Sequence, residues 1–408
     1  MKYALVTFGC RVNQADSLVI EDGLRSRGAL AASPEEADIV VVNTCSVTAS
    51  ADQAARQTIR RIARLNPEVR VIVTGCYATR QPADVSALPN VVRVVANDEK
   101  DDVVASMFGD GDGPCGHSLA PGVAGRTALT LRVQTGCDEA CSYCIIPRTR
   151  GTGRSRPLSA VLDDVRRAVD AGYKEIAITG VHLGSYGRDL DDGSSLSRLV
   201  AALGDWNGDV LFRISSLEPM DCTPEIVDMV AGSARLAPHF HLPLQHGCEE
   251  MLRAMRRPYT PAFYRGLIER VRTALPDAAI GSDIVVGFPG ENDAHFEELR
   301  AMLEALPLTH LHVFPYSDRP GTEASRMLPK VDGRVIRERG RVVREIGERM
   351  SHRFKASQQG RRLRGLTVDD GQSVVTGNFL KLRLNVRQGR NEWVDIRVEG
   401  EGRATLSS

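Results

Sequence analysis

Three cysteines crowd into the segment VQTGCDEACSYC: Cys137, Cys141 and Cys144, spaced C-x3-C-x2-C. Structural zinc sites take four ligands, usually as paired C-x2-C knuckles or Cys/His mixtures. Here no fourth Cys or His lies nearby in the sequence, and Arg148 and Arg150 follow closely. Iron–sulfur cubanes are held by cysteine thiolates and saturated by four of them. Three thiolates leave one iron open to a substrate or cofactor, by the logic that separates catalytic from structural metal sites.

A second set is dispersed. Cys10, Cys45 and Cys76, in TFGC, VNTC and VTGC, each close a short apolar run that reads as a parallel strand. Parallel strands put their carboxyl ends along one sheet edge, where α/β folds bind ligands, so the three thiols converge on one expected metal site. Their spacing does not name the metal. Cys115, Cys222 and Cys248 share no metal spacing and read as non-ligand thiols. The opening MKYALVTFGCRVNQ has no signal-peptide layout, and no apolar run is long enough to span a bilayer. The expected location is cytoplasmic, where thiols stay reduced, and nine cysteines is an odd number for a disulfide framework.

The elements that position these thiols follow from periodicity. A chain of 408 residues implies two or three domains. Strand and helix signals alternate up to about Val95, with helices over QADSLVIEDGLRSRG and ADQAARQTIRRIARLNP, which predicts a parallel α/β domain over 1–110. Gly, Asp and Pro enrich the stretch up to Thr127, read as a linker over 111–127. Six further strand candidates separated by helices predict a partial (β/α)6 barrel over 128–356, ending in a basic helix from Arg334 to Lys355. After that the period becomes two, which predicts a small β domain over 357–408. Lys plus Arg and Asp plus Glu balance at 52 each, so only local clustering points to a nucleic-acid partner.

The C-x3-C-x-aromatic-C pattern, with Tyr143 as the aromatic, resembles the signature of radical S-adenosylmethionine enzymes. TFGCRVNQADS, VVNTCSVT and VTGCYA resemble the N-terminal domain of the methylthiotransferases, and ITGVHLGSYG, RISSLEP, HLPLQHG and SDIVVGFPGE their radical domain. The tail resembles the small RNA-binding TRAM domain. The resemblance implies that Cys137, Cys141 and Cys144 hold a 4Fe–4S cluster whose open iron chelates S-adenosylmethionine, cleaved to a 5′-deoxyadenosyl radical. It implies that Cys10, Cys45 and Cys76 hold a second, auxiliary 4Fe–4S cluster that carries the sulfur to be inserted. GCRVNQ, TGVHLGSYG and SSLEP resemble most the group that acts on N6-threonylcarbamoyladenosine next to the anticodon of tRNA.

Other expectations are local. Gly180 lets the cofactor's amino group approach the backbone; Ser215, Ser216 and Glu218 bond its ribose or the substrate; Gln245 occupies a similar rim position. His241 reads as a packed or hydrogen-bonded residue, and Gly287 and Gly290 frame a tight loop beside the cofactor adenine. Arg148, Arg150, Arg154 and Arg156, the basic helix, and Arg361, Arg362, Arg364, Lys381, Arg383 and Arg387 form an expected phosphate-tracking surface, with Phe379 as a stacking platform. The resemblance implies tRNA as partner and a reductant of the flavodoxin or ferredoxin type, with no membrane and the sulfur donor left open. The alternatives are a methylthiotransferase acting on isopentenyladenosine tRNA or on a ribosomal protein, and a non-catalytic metal-containing RNA-binding protein.

Overall fold

The computed structural model describes residues 1–108, 120–122 and 126–407. Most of the expected linker, and Cys115 within it, lies outside the described residues.

The N-terminal unit is a five-stranded parallel sheet in the order Leu30–Ala31, Lys2–Thr7, Ile39–Thr44, Arg70–Gly75, Val91–Val95. Its strands read as unbroken apolar runs because both faces are covered. Val40, Val42, Val71 and Val73 feed one core, while Ile39, Val41 and Ile72 feed the other. Each such side chain contributes about 1.5–3 kcal/mol through burial. Helix Arg11–Ser26 starts directly after Cys10. Helix Ala49–Leu65 starts where the Thr48 side chain accepts a hydrogen bond from the Ala51 amide, and it stops just before Pro67.

The central unit contains the six parallel strands expected, split into two three-stranded sheets. Leu129–Arg132, Glu175–Thr179 and Leu211–Ile214 form one; His239–His241, Ala279–Val286 and His310–Pro315 form the other. Backbone bonds from Phe212 to Arg235 and Ala237 continue the arc between them. The result is an open barrel with helices outside. Helix Gly333–Ser357 closes one flank against the last strand. Helix Arg11–Ser26 of the N-terminal unit packs on the first strand at the other flank.

The C-terminal unit is a closed five-stranded barrel in the order Arg362–Val368, Ser373–Thr376, Lys381–Leu384, Arg403–Leu406, Trp393–Val398. Its first strand breaks the period-two pattern at Gly365, where a Cβ would stand 2.4 Å from the Val374 side chain. Among the described residues no helix is long and apolar enough to cross a membrane.

Candidate active site

Register brings the dispersed thiols together. Thr7 pairs with Asn43, and Thr44 with Gly75, so the residues that follow, Cys10, Cys45 and Cys76, stand side by side at the carboxyl edge of three adjacent strands. Glycines make the approach possible. Gly9 and Gly75 have φ of 94° and 98°, and a Cβ on Gly9 would lie 2.7 Å from the Cys45 sulfur. On Gly75 it would lie 2.2 Å from the Thr44 carbonyl oxygen. Cys45 and Cys76 are buried and Cys10 is open to the seam. Burial pushes the Cys45 thiol up to about 11, with Cys76 and Cys10 adding to the shift.

The local set sits across that seam. Cys137 follows Gly136, whose φ of 74° lets the chain turn over the Thr152 carbonyl after the first barrel strand. Burial pushes Cys144 up to about 12 and raises Cys141 as well. The thiolate is the form that binds a metal, so a soft metal seated on these thiols would take their protons off as it binds. The Tyr143 ring packs edge-on to Phe288 at 6.4 Å, within a cluster that includes Cys248, Met251 and Ala324. Cys222 is buried in the large core of the central unit and Cys248 in the cluster beneath Tyr143.

Two groups that the sequence did not single out touch the local set. Arg257 donates from Nη1 to the Cys141 sulfur at 3.1 Å, and its other nitrogen holds Glu218. His182 places Nδ1 3.9 Å from the Cys137 sulfur and Nε2 2.8 Å from Asp221, which also takes Arg188 at 2.6 Å. Burial opposes the charge on His182, yet hydrogen bonds to Asp221 and Cys137 raise it to about 10. So the cysteine without a histidine neighbour in sequence has one in space. ITGVHLGSYG contains His182, but nothing in its periodicity ties it to Cys137. Arg257 stands in RRPYT, more than a hundred residues past the cysteines.

The seam itself is a buried charge network. Asp16 Oδ2 pairs with Lys100 at 2.8 Å and Arg150 at 2.9 Å, and Oδ1 with Arg132 at 2.6 Å. Burial alone would raise the Asp16 carboxyl, but these cations outweigh it and hold it well below the ordinary range. Asn97 spans the same junction, donating to the Cys76 sulfur at 3.7 Å and to the Thr149 carbonyl at 2.7 Å. Arg150 is therefore not part of an RNA-facing surface; it is buried and locks the loop after Cys144 onto the helix after Cys10. Arg156 likewise pairs with Asp164 at 2.5 Å, while Arg148 and Arg154 stay exposed.

The remaining expected residues scatter. Gly180 lies against Gln134, where a Cβ would stand 3.0 Å from Oε1. Ser215 is buried and accepts from Arg11 Nη1 at 3.4 Å, Ser216 is exposed, and Glu218 is occupied by Arg257. Gln245 is half-buried with φ of 67°, its backbone bridged to Ile284. Gly287 and Gly290 form a tight loop closed by the Glu291 carboxylate on the Gly287 amide at 2.8 Å. His241 donates from Nε2 to Asp283 at 2.9 Å, as does His312 from Nδ1 at 3.2 Å. Phe379 keeps part of its ring exposed, but the ring is already engaged within the protein. It sits in a turn, with φ of 63°, packed on His239 at 4.7 Å and under Arg213 at 4.8 Å.

Comparison with known proteins agrees with this geometry. Residues 2–97 match the model described as uncharacterized protein family UPF0004, and residues 131–303 the radical SAM superfamily. The threonylcarbamoyladenosine tRNA methylthiotransferase MtaB of Aquifex aeolicus is 33% identical over 96% of this chain and 98% of its own. Its namesake from Bacillus subtilis is 36% identical over 87% of this chain and 82% of its own. The tRNA-2-methylthio-N(6)-dimethylallyladenosine synthase of Clavibacter michiganensis is 32% identical over 98% of this chain and 75% of its own. The fold is shared with a radical S-adenosylmethionine methyltransferase from Kitasatospora setae, at TM-score 0.57 and 16% identity over 79% of this chain and 75% of that one. Two thiol triads on a UPF0004–radical SAM frame, matched end to end by such relatives, make this chain a member of the methylthiotransferase family of radical S-adenosylmethionine enzymes.

Proposed function

We propose that the chain modifies tRNA, adding CH3–S to C2 of N6-threonylcarbamoyladenosine beside the anticodon. The observation that carries this reading is the pair of three-thiol sets, each at the carboxyl ends of parallel strands, facing one seam. Cys137, Cys141 and Cys144 would hold a 4Fe–4S cluster with an iron open to S-adenosylmethionine, and Cys10, Cys45 and Cys76 a second cluster. When bound, these groups supply one-electron cleavage of the cofactor and the transferred sulfur, chemistry beyond any side chain.

The chain's own residues orient and enclose. Arg257 holds Cys141 and Glu218 in one array, and His182, fixed by Asp221, does the same for Cys137. Tyr143, Phe288 and Tyr316 exclude water beneath the loop. The seam network fixes the distance between the two thiol sets. Ser216, which is exposed, and Gln245, which is half-buried, would bond the cofactor or base.

The division at 1–110, 111–127, 128–356 and 357–408 fits three cooperating units. The closed C-terminal barrel would track tRNA phosphates through exposed Arg362, Arg383 and Arg387, whereas Arg361, Arg364 and Lys381 are engaged by Asp277, Asp209 and Asp369. The target base must leave its stack to reach the seam. The enzyme would work in the cytoplasm, with a reductant of the flavodoxin or ferredoxin type. The names of the first relatives favour the threonylcarbamoyl substrate over the isopentenyl and ribosomal ones. Mass spectrometry of tRNA nucleosides from cells with and without the gene tests this. Loss of the 2-methylthio derivative with build-up of its unthiolated precursor is expected; an unchanged profile would refute the substrate.

A further inference from the structure

The concave face of the open barrel carries nitrogen donors that the cysteine sites do not use. Phe212, Phe240, Ile280 and Ile284 point into the outer helices. Their neighbours Arg213, His239, His241 and Asp283 therefore point inward, as do His310 and His312 on the last strand. The rings run as a chain: His239 to His310 at 6.3 Å, His310 to His312 at 5.6 Å, His312 to His241 at 5.1 Å. Gly281 is required between them, because a Cβ there would meet the His310 ring at 2.1 Å. Arg11 reaches the same space from the N-terminal unit, 5.8 Å from the Phe379 ring that also touches His239 and Arg213.

The charges on this wall do not balance. Glu175 is taken by Arg213 at 2.9 Å, and Asp283 by His241 and His312. Arg11 is half-buried, its printed contact is to the Ser215 hydroxyl at 3.4 Å, and the one carboxylate acting on it, Glu175, is already bridged to Arg213, so two arginines share one acid. His239 Nδ1 is buried without a hydrogen-bond partner. His312 spends Nδ1 on Asp283 and stays exposed, so Nε2 remains for a ligand. Withdrawing two cations from water with a single carboxylate between them is costly, and an anion brought from outside relieves that cost.

We propose that this wall binds the anionic arm of the substrate nucleoside, Arg11 pairing its carboxylate and His312 adding a hydrogen bond, and so selects acid-bearing N6 substituents over hydrocarbon ones. The inference rests on the tRNA methylthiotransferase reading. A threonylcarbamoyl arm ends in a carboxylate beside a hydroxyl; a dimethylallyl arm has no polar atom and offers Arg11 nothing to pair with. Position supports it as well. Arg11 directly follows Cys10 and touches Ser215 at a strand end of the radical unit, so an arm held there keeps its adenine in the seam between the thiol triads.

The test uses cluster-loaded full-length protein and anticodon stem-loop RNAs identical except for the target base. That base is adenosine, N6-threonylcarbamoyladenosine or its carboxyl methyl ester, and binding is read anaerobically by fluorescence anisotropy. The wild type should bind the acid roughly ten- to a hundredfold more tightly than the ester, the scale of a charge-assisted hydrogen bond. Arg11→Gln should abolish that preference, Arg11→Lys should keep part of it, and His312→Gln should narrow it by a smaller factor, all with iron content unchanged. Equal binding of acid and ester by the wild type would overturn the proposal, and so would an undiminished preference in Arg11→Gln. The wild-type comparison needs no variant to fold. Failure of the underlying reading looks different. Protein that thiolates dimethylallyl RNA or a ribosomal peptide, but not threonylcarbamoyl RNA, refutes the substrate and the wall together. Threonylcarbamoyl RNA modified with no distinction between acid and ester refutes the wall alone.

Discussion

Cys10, Cys45 and Cys76 come from three separate strands, whereas Cys137, Cys141 and Cys144 come from one loop. The dispersed triad is as rigid as its sheet. Strand register and two left-handed glycines place it, and any change that shifts the register moves all three thiols. The loop triad is written into the sequence as a unit but is held from outside, by Arg257 and His182 on later parts of the barrel. One site is built by fold, the other by local spacing with distant supports. Loss of a distant support should therefore weaken the loop triad alone, while loss of a glycine should weaken the sheet triad alone.

The largest effect expected is from Cys141→Ala, which should abolish S-adenosylmethionine cleavage while the N-terminal cluster persists. Retained cleavage, read by chromatography of 5′-deoxyadenosine, would refute the assignment of the loop triad. Next is Asp16→Ala, which leaves Lys100 and Arg150 without a carboxylate at the seam and Arg132 with only the exposed Asp101, and should cost about 3–5 kcal/mol in denaturant unfolding. The same carboxylate sets a pH dependence. Its folded value is depressed, so its stabilisation is fully present above its unfolded value near about 4 and is lost as pH falls toward the folded one. The Asp16→Ala protein should lack that part of the acid transition.

Gly75→Ala should cost about 1–3 kcal/mol in strain and empty the sheet triad of iron while sparing the loop triad. His182→Asn is milder. It should alter the electron paramagnetic resonance of the reduced loop cluster without altering that of the other; an unchanged signal would remove His182 from its support. Arg383→Ala should have the smallest effect, weakening tRNA binding about equally for all sequences and lowering the salt slope by about one.

Much of this was legible in the sequence. All six central strands and both thiol triads follow from periodicity and from where cysteines fall relative to strand ends. What stayed hidden depends on contacts between distant segments. Arg150 reads as surface charge beside other arginines, yet it is buried because Asp16 waits on a helix far earlier in the chain. Arg257 and His182 carry no spacing relation to the cysteines they touch. Phe379 reads as a stacking platform for RNA, but its ring packs on His239 and Arg213 of the central unit. Periodicity reports which face of an element is covered, not which partner covers it.

The most direct test of two separate sites is iron and sulfide content, with Mössbauer spectra, of anaerobically reconstituted protein. The wild type should hold about eight irons per chain, and a triple Ala variant of either cysteine set about four, all in a 4Fe–4S form. A wild type with about four irons, or either triple variant losing all of its iron, would contradict the account of two independently built clusters.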